Sequence, residues 1–431
     1  MSDGESVSTQ GGLRASLALL RGNPDFRRLF WASVISLGGD WFLLVALFEL
    51  AHDLTGTALA IGFLLFAQDV TYSLCSPVAG HLADRFDRRK LMVAADLARA
   101  GLCLGFLAIG SPGEAWLIYV LLAAIAVFSS VFEPASAAAF PNLVAPEDLA
   151  TANAVSGSLW GTMLAVGAAL GGIVTAALGR DASIVLDAIS FVVSAALILR
   201  IRGRFAEERT VEHPRFRRAA VETVRYAKRD HRVLALLSVK FGWGIAGGVL
   251  VLIPLFATDV FHAGSLGTGF LLAARGIGAL LGPFLGRSLL GPADRRLFFV
   301  IAVALGTFGA GYALLGLAPA LIAAAPAVIV AHLGGGAQWT LSGYGLQKIV
   351  PDHIRGRIFG IDGMLVTLTF GIGSLAVGAL ADRFGARAMA VTMGGVALAW
   401  ALTWAWLTSD VRRATMLEGC GGPPEEAYEP G

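Results

Sequence analysis

The chain has 431 residues, of which 56% are hydrophobic and only 15% are charged, and its mean hydropathy is +0.71. Soluble proteins carry about 25% charged residues, so this composition excludes a water-soluble globule and indicates a membrane protein. The net charge of +2 gives no support for a nucleic-acid partner.

Twelve apolar stretches are long enough to cross the hydrocarbon core as helices, which takes about 20 residues each. The predicted spans 1 to 12 are 29–50, 58–82, 91–110, 116–139, 152–178, 183–199, 233–257, 266–290, 297–317, 320–344, 360–381 and 387–407. These continuous runs lack the alternation of a membrane β-barrel. The sequence therefore predicts an all-α polytopic membrane protein.

The spans fall into two groups of six, which predicts five segments. They are a cytoplasmic N-terminal segment (1–28), an N-terminal six-helix bundle (29–199), a basic cytoplasmic linker (200–232), a C-terminal six-helix bundle (233–407) and a disordered cytoplasmic tail (408–431). Of the 33 basic residues, all but six lie in, or at span ends next to, the segments on one side of the membrane. By the positive-inside rule, that side, which carries both termini, is cytoplasmic.

The two groups of six spans are related in sequence. A shift of 206 positions places Pro77 over Pro283 and Arg89 over Arg295. Two related bundles joined by a basic linker are typical of alternating-access transporters, in which the bundles rock around a site at the membrane midplane. Chance similarity between apolar helices is the alternative.

The loop between spans 2 and 3 reads Gly-His-Leu-Ala-Asp-Arg-Phe-Asp-Arg-Arg-Lys over 80–90. It resembles the loop signature of the major facilitator superfamily, which implies a gate formed by Gly80, Asp84, Arg85, Arg88 and Arg89. Gly80 permits close helix approach, and Asp84 can lie against the positive N-terminal end of a facing helix. The arginines can pair with carboxylates across the interface between the bundles. Positive-inside anchoring is the alternative role for the arginines.

Further motifs resemble the enterobactin-exporter and macrolide-efflux branch of that superfamily, over roughly residues 23–410. They lie at 23–29, 36–41, 53–57, 132–135, 141–144, 186–191, 274–278 and 351–357. The resemblance implies a proton-coupled exporter of small amphipathic compounds, such as drugs, antibiotics or siderophores, in the bacterial inner membrane. Two features of many proton/drug antiporters are missing from the sequence: an arginine in span 4 and a Gly-Pro pair in span 5. Proton coupling therefore has less support than the fold.

Ionisable residues inside spans are costly and so are candidates for function. Asp69 lies near the midplane of span 2, and Arg275 occupies the equivalent position of span 8. This pair is predicted to serve the moving interface, with a permanent ion pair as the alternative. Asp40, in span 1 beside two glycines, is the leading candidate for proton coupling, with a purely local hydrogen-bonding role as the alternative. Asp69 and, in span 10, His332 are further proton-coupling candidates, and for His332 a local hydrogen bond is again the alternative.

Other polar and aromatic residues in the spans have less specific roles. Lys240 in span 7 can extend its amine toward the cytoplasm. Four charged residues are predicted to brace interfaces or loops: Asp96, Arg99, Glu133 and Asp187. Candidates for a substrate cavity, with simple packing as the alternative, are Trp41, Phe42, Phe128, Phe132, Trp243, Gln338 and Trp339.

The sequence contains no phosphate-binding Gly-x-x-x-x-Gly-Lys-Ser/Thr loop, zinc-binding His-Glu-x-x-His motif or Gly-x-Ser-x-Gly nucleophile motif. We therefore expect no enzyme activity, no cofactor and no metal. The expected partners are a small-molecule substrate, protons and the lipid bilayer, and the protein is expected to be a monomer. Uptake of a small nutrient by the same fold is the main alternative function.

Overall fold

The computed structural model describes residues 9–203, 205, 216–291 and 294–412. The side chains of 9–13, 77, 80, 81, 83, 84, 146, 150, 154, 216–222, 352 and 353 lie outside this description. Several predictions therefore fall outside the described residues. They concern the packing of Gly80, the side chain of Asp84, the segment 1–8, the middle of the linker and the tail from 413 onward.

Helices make up almost all of the described chain. The first half contains α1 (Thr9–Gly22), α2 (Pro24–Thr55), α3 (Ala58–Arg85), α4 (Arg88–Gly105), α5 (Trp116–Ala139), α6 (Leu149–Leu178) and α7 (Arg180–Leu199). The linker contains α8 (Phe216–Arg229). The second half contains α9 (His231–Gly247), α10 (Leu252–Leu255), α11 (Gly264–Ser288), α12 (Leu297–Leu317), α13 (Leu321–Ile349), α14 (Asp352–Phe384) and α15 (Ala386–Leu407).

Twelve helical segments within the described residues are long and apolar enough to cross a membrane. Each coincides with one predicted span, with α9 and α10 together forming the seventh. The prediction of an all-α, twelve-span membrane protein is therefore confirmed. Several helices, among them α2, α6 and α14, are longer than the predicted apolar runs because they continue into the polar segments. Asn23 accepts hydrogen bonds from the backbone N–H groups of Asp25 (3.1 Å) and Phe26 (2.9 Å) and so caps α2.

The seventh span is interrupted, which the sequence analysis did not predict. After α9 the chain forms a 3₁₀ turn (Gly248–Val251), then α10, and then a π-helical turn (Phe256–Val260). Pro254 has no N–H to donate to the preceding turn, which disfavours a regular α-helix here. A Cβ added to Gly248 would lie 2.3 Å from the carbonyl oxygen of Gly373, so the irregular segment packs directly on the backbone of α14.

The spanning helices form two bundles, α2–α7 and α9–α15, which meet along two helix pairs: α3 packs on α14, and α6 packs on α11. We call the side on which α2 begins and α7 ends the linker face, and the opposite side the far face. On the far face, the Asp382 carboxylate of the C-terminal bundle accepts hydrogen bonds from the N–H groups of Ala58 (2.6 Å) and Leu59 (3.1 Å) in the N-terminal bundle. His52 and Asp259 add a contact of 3.1 Å between the bundles. The two bundles are therefore held together at the far face.

Candidate functional site

A buried polar cluster lies inside the N-terminal bundle, with Arg99 of α4 at its centre. Arg99 is 2% exposed and forms a short ion pair with Asp96, one helical turn away, as their spacing predicts. Its guanidinium also lies 3.4 Å from the hydroxyl oxygens of Ser36 in α2 and Ser129 in α5. The cluster thus joins three helices of the bundle.

Two aromatic rings enclose the same guanidinium. The Cζ atom of Arg99 lies 4.6 Å from the ring centroid of Phe132 and 4.3 Å from that of Phe191. Such cation–π contacts favour a charged arginine where water is excluded. Phe132, predicted as a cavity residue, is thus buried against Arg99.

Close packing of α2 on α7 brings Asp40 to this cluster. A Cβ added to Gly39 would lie 2.3 Å from a carboxylate oxygen of Asp187 and 2.2 Å from the Ser190 hydroxyl, so only glycine fits there. Asp187 is fully buried and accepts hydrogen bonds from Ser190 (3.1 Å) and the Cys103 thiol (3.5 Å). The glycine pair noted in span 1 therefore permits this helix contact.

Asp40 is partly exposed and lies within electrostatic range of Arg99, Asp96 and Glu133. Among the described residues its carboxylate forms no hydrogen bond or ion pair. The local hydrogen-bonding role considered for Asp40 is therefore not seen here. The Asp40 carboxylate therefore has free acceptor sites within the described part of the chain.

Glu133 of α5 extends the cluster to the interface helix α3. Its carboxylate is exposed and accepts a hydrogen bond of 2.5 Å from the Tyr72 hydroxyl. The sequence analysis missed Tyr72, because nothing in an apolar span indicates which neighbouring helix a tyrosine will face. This bond connects an exposed carboxylate to a helix that contacts the other bundle.

Asp69 and Arg275 lie within electrostatic range of each other at the interface between the bundles. No ion pair within 4 Å joins them in the described part of the chain, so the permanent ion pair considered as the alternative is not formed. Arg275 is 7% exposed, and its Cζ atom lies 5.9 Å from the ring of Trp41 and 5.6 Å from that of Trp160. Trp160, half-exposed on α6, is another residue that the sequence analysis missed.

His332 lies deep in the C-terminal bundle. Its Nε2 atom is 2.9 Å from the Tyr312 hydroxyl, and both side chains are buried. This is the local hydrogen bond that the sequence analysis named as the alternative to a proton relay. Arg275 is nevertheless within electrostatic range of the imidazole.

Aromatic side chains of the C-terminal bundle form a connected group. Trp243 stacks on Phe370 at 5.7 Å between ring centroids and meets Trp339 edge-on at 5.6 Å. Trp339 is 44% exposed, whereas Gln338 is buried, with no hydrogen-bond partner for its amide among the described residues. Of the predicted cavity residues in this bundle, Trp339 is therefore accessible and Gln338 is buried.

The remaining predicted cavity residues pack between helices. Phe42 lies on the α2 side of the close α2–α6 contact, where a Cβ on Gly171 would be 3.0 Å from its Cα. Phe128 packs against a group of buried apolar residues near the linker face that includes Phe26 and Phe140. For these two residues the structure matches the packing alternative.

Lys240 and Asp362 form a short ion pair buried between α9 and α14. The Lys240 Nζ atom lies 4.6 Å from the ring centroid of Trp339. The expectation that Lys240 extends its amine toward the cytoplasm is therefore wrong, because a carboxylate inside the bundle binds the amine instead. Asp362 itself was not identified from the sequence.

The arginines of the predicted gate contact their own bundle. Arg88 donates to the carbonyl oxygens of Ala138 (3.2 Å) and Phe205 (2.9 Å). Arg89 donates to that of Gly203 at 2.8 Å, while Arg85 is exposed. These bonds go to backbone carbonyls of the N-terminal half, and the predicted pairing with carboxylates across the interface stays a prediction.

The side chains described include no group of three or more His, Cys, Asp or Glu residues that could hold a metal ion. The charged groups of the site instead contact one another and aromatic rings.

Comparisons with known proteins identify the family. A family model for the Major Facilitator Superfamily matches residues 29–331. Macrolide efflux protein A of Streptococcus pyogenes is 25% identical over 366 residues, which cover 82% of this chain and 89% of that protein. The multidrug efflux pump Tap of Mycolicibacterium fortuitum is 26% identical, over 84% of this chain and 90% of the pump.

Solved structures agree on the fold. A peptide transporter of the POT family in complex with sulfate superposes with a TM-score of 0.73 at 11% identity, over 91% of this chain and 95% of that one. A bacterial homologue of the human lysosomal transporter Spinster, inward-facing and occupied, gives 0.70 at 14% identity, over 89% and 96%. The resemblance to macrolide-efflux proteins is confirmed, and the chain belongs to the Major Facilitator Superfamily, whose members move small molecules across membranes.

Proposed function

We propose that this protein is a secondary-active exporter that exchanges inward-moving protons for outward-moving small amphipathic compounds. The observation that carries the proposal is the excess of negative charge in the N-terminal cluster. Four carboxylates surround the Arg99 guanidinium: Asp40, Asp96, Glu133 and Asp187. In a poorly solvated site this excess is unfavourable unless it is neutralised. A proton or a cationic group of a substrate can neutralise it, so the two compete.

Asp40 and Glu133 are the carboxylates of this cluster best placed to exchange protons. Asp96 is engaged by Arg99, and Asp187 is fully buried with two donors. Asp40 is partly exposed and Glu133 is exposed, and Glu133 is linked through Tyr72 to the interface helix α3. We infer that protonation here is coupled to movement of the bundles through this link.

The direction of transport rests on the relatives and on the charge distribution. Relatives across most of the chain are efflux proteins by name. The bundles are held together at the far face, and the positive-inside rule assigns the linker face to the cytoplasm. With this orientation, the contacts at the far face would close the outer side of the protein.

Aromatic surfaces supply the affinity for lipophilic compounds. Half-exposed Trp160 lies at the interface between the bundles, and half-exposed Trp339 lies in the C-terminal bundle. Rings of this kind bind planar apolar groups and cations. A lipophilic compound with a basic group suits these rings and the carboxylate excess.

Proton movement supplies enough free energy for useful export. Each inward proton gains about 2.3 kcal/mol per 100 mV of membrane potential. If one compound leaves for each proton that enters, that value corresponds to a ratio of roughly 50 between the outside and inside concentrations of the compound at 100 mV.

Everted membrane vesicles test the proposal. With an imposed proton gradient, we expect lipophilic cationic dyes or macrolides to accumulate inside the vesicles, and an uncoupler to abolish the accumulation. Asp40→Asn should remove the proton dependence at normal expression. Glu49→Gln, which removes a carboxylate from the same helix outside the cluster, serves as the matched control. Proton-driven loss of compound from these vesicles would instead indicate uptake.

A further inference from the structure

A cavity of about 540 Å³ opens on the linker face of the N-terminal bundle. Its walls come from the beginning of α2, the beginning of α4, and the end of α7 with the segment that follows. The lining residues are Arg28, Arg89, Leu199, Arg200, Ile201 and Arg202. Four of these six side chains are guanidinium groups, and none is a carboxylate.

Two of the four arginines are held in place. Arg28 forms an ion pair of 2.6 Å with Asp25, and Arg89 donates to the Gly203 carbonyl oxygen at 2.8 Å. Asp25 also accepts hydrogen bonds from the backbone N–H groups of Gly203 (2.8 Å) and Arg202 (3.2 Å). The wall of the cavity formed by the linker is therefore tied to the start of α2.

The other two arginines have free donors. Arg200 and Arg202 are exposed, and over the described residues their guanidinium groups form no hydrogen bond or ion pair. Asp25 is the carboxylate next to the cavity, and Arg28 already engages it. The cavity therefore has a net positive charge that nothing in the described protein neutralises.

The chemistry that fits this cavity is a phosphate group. Guanidinium groups bind phosphate through paired, parallel hydrogen bonds. Leu199 at the edge of the cavity is 60% exposed and marks the end of a spanning helix, where acyl chains begin. The cytoplasmic leaflet carries a negative surface potential, and basic pockets at this level suit lipid headgroups.

We propose that this cavity binds the phosphate headgroup of an anionic phospholipid. The headgroup would connect α2, α4 and the start of the linker, the segment to which Arg88 and Arg89 also bind. Lipid binding would therefore stabilise the linker-face end of the N-terminal bundle. Inorganic phosphate has the same chemistry but no acyl chain.

Thermal unfolding of the full-length protein in a neutral detergent tests this proposal. The probes are dioleoylphosphatidylglycerol, the zwitterionic dioleoylphosphatidylcholine and sodium phosphate. We expect phosphatidylglycerol to raise the unfolding temperature at concentrations where the other two do not. Loss of two basic groups should raise the phosphatidylglycerol concentration needed for half of this effect about 30-fold in the R200Q/R202Q variant.

The matched control is R295Q/R296Q, which removes two exposed positive charges from the same face of the other bundle. It should respond to phosphatidylglycerol like the wild type. Native mass spectrometry counts bound lipid independently of stability, so a destabilised R200Q/R202Q variant still gives an answer. Equal stabilisation by both lipids, equal losses in both variants, or an effect reproduced by sodium phosphate alone would overturn the proposal.

Discussion

Gly172 of α6 and Gly269 of α11 touch through their backbones across the interface between the bundles. A Cβ added to either residue would lie 2.7 Å from the Cα of the other, far closer than a real side chain allows. The contact lies near the far-face ends of both helices. Closure of the far face therefore depends on the absence of side chains at these two positions.

Gly172→Leu should prevent this closure. Overpacking costs about 1–3 kcal/mol, which changes the ratio of two conformations roughly 5- to 150-fold. We expect the far face to open and transport to slow. Spin labels at Asp181→Cys and Arg383→Cys, two exposed far-face positions in different bundles, would report a longer distance in a background without the native cysteines.

Gly157→Leu provides the control for this substitution. Gly157 lies in the same helix, but a Cβ there meets nothing within 4 Å. Its label distance should match that of the parent protein. An unchanged distance in Gly172→Leu would mean that the glycine contact does not control closure.

Exchanging the charges of Asp69 and Arg275 tests whether these residues act together. Asp69→Arg places two positive charges at the interface, and Arg275→Asp places two negative ones, where poor solvation makes repulsion strong. We expect each single variant to lose most transport, and the double variant to recover at least tenfold over either. The same exchange at the exposed far-face pair Asp53 and Arg180 should have little effect. A double variant no better than the singles would exclude direct coupling.

The twelve spans were predictable because each requires only length and apolar composition. The pairing of Asp96 with Arg99 could also be predicted, since residues three apart share a helical face. Contacts between helices distant in sequence could not be predicted. A spanning helix is apolar on all sides, so its sequence does not reveal which face meets a neighbour. The bond between Tyr72 and Glu133 depends on this missing information.

Asp362 was not identified as a candidate because the sequence analysis began its helix too late in the chain. The predicted span began at 360, which placed Asp362 near the membrane surface, where a carboxylate is unremarkable. Helix α14 begins at Asp352. Asp362 therefore lies about 15 Å along the helix, at 1.5 Å per residue, and close to Lys240. The break in the seventh span did have a signal in the sequence, Pro254, which the sequence analysis did not use; the packing of Gly248 against Gly373 was not visible there.

Asp362→Asn should destabilise the protein more than loss of an exposed carboxylate. Removing one partner of a buried ion pair leaves an uncompensated charge and costs about 3–5 kcal/mol. The double variant Lys240→Met with Asp362→Leu removes both charges and should restore much of the thermal stability. Asp53→Asn, from the exposed pair with Arg180, should cost less than about 1 kcal/mol. Equal unfolding temperatures for Asp362→Asn and Asp53→Asn would contradict this account.

Asp294, in the loop between α11 and α12, should make stability depend on pH. Although burial opposes it, hydrogen bonds from Tyr344 and Lys348, with the charges of Lys348 and Arg287, hold the pKa of Asp294 below its usual value. A lowered pKa in the folded state stabilises the protein above the pKa of the unfolded state, about 3.9. That contribution is lost as the pH falls through the folded-state pKa.

Asp294→Asn isolates this contribution because the residue has φ 56°, a left-handed conformation that asparagine tolerates. We expect the variant to unfold at a lower temperature than the wild type at pH 7, for a loss of about 1–3 kcal/mol. The difference should shrink as the pH approaches 3, because the wild-type carboxyl group is then increasingly protonated. Asp410→Asn, at an exposed position with no described partner, should show the same difference from the wild type at every pH. If the difference in unfolding temperature between Asp294→Asn and the wild type stayed constant from pH 7 to pH 3, the charge of Asp294 would not be what stabilises the loop.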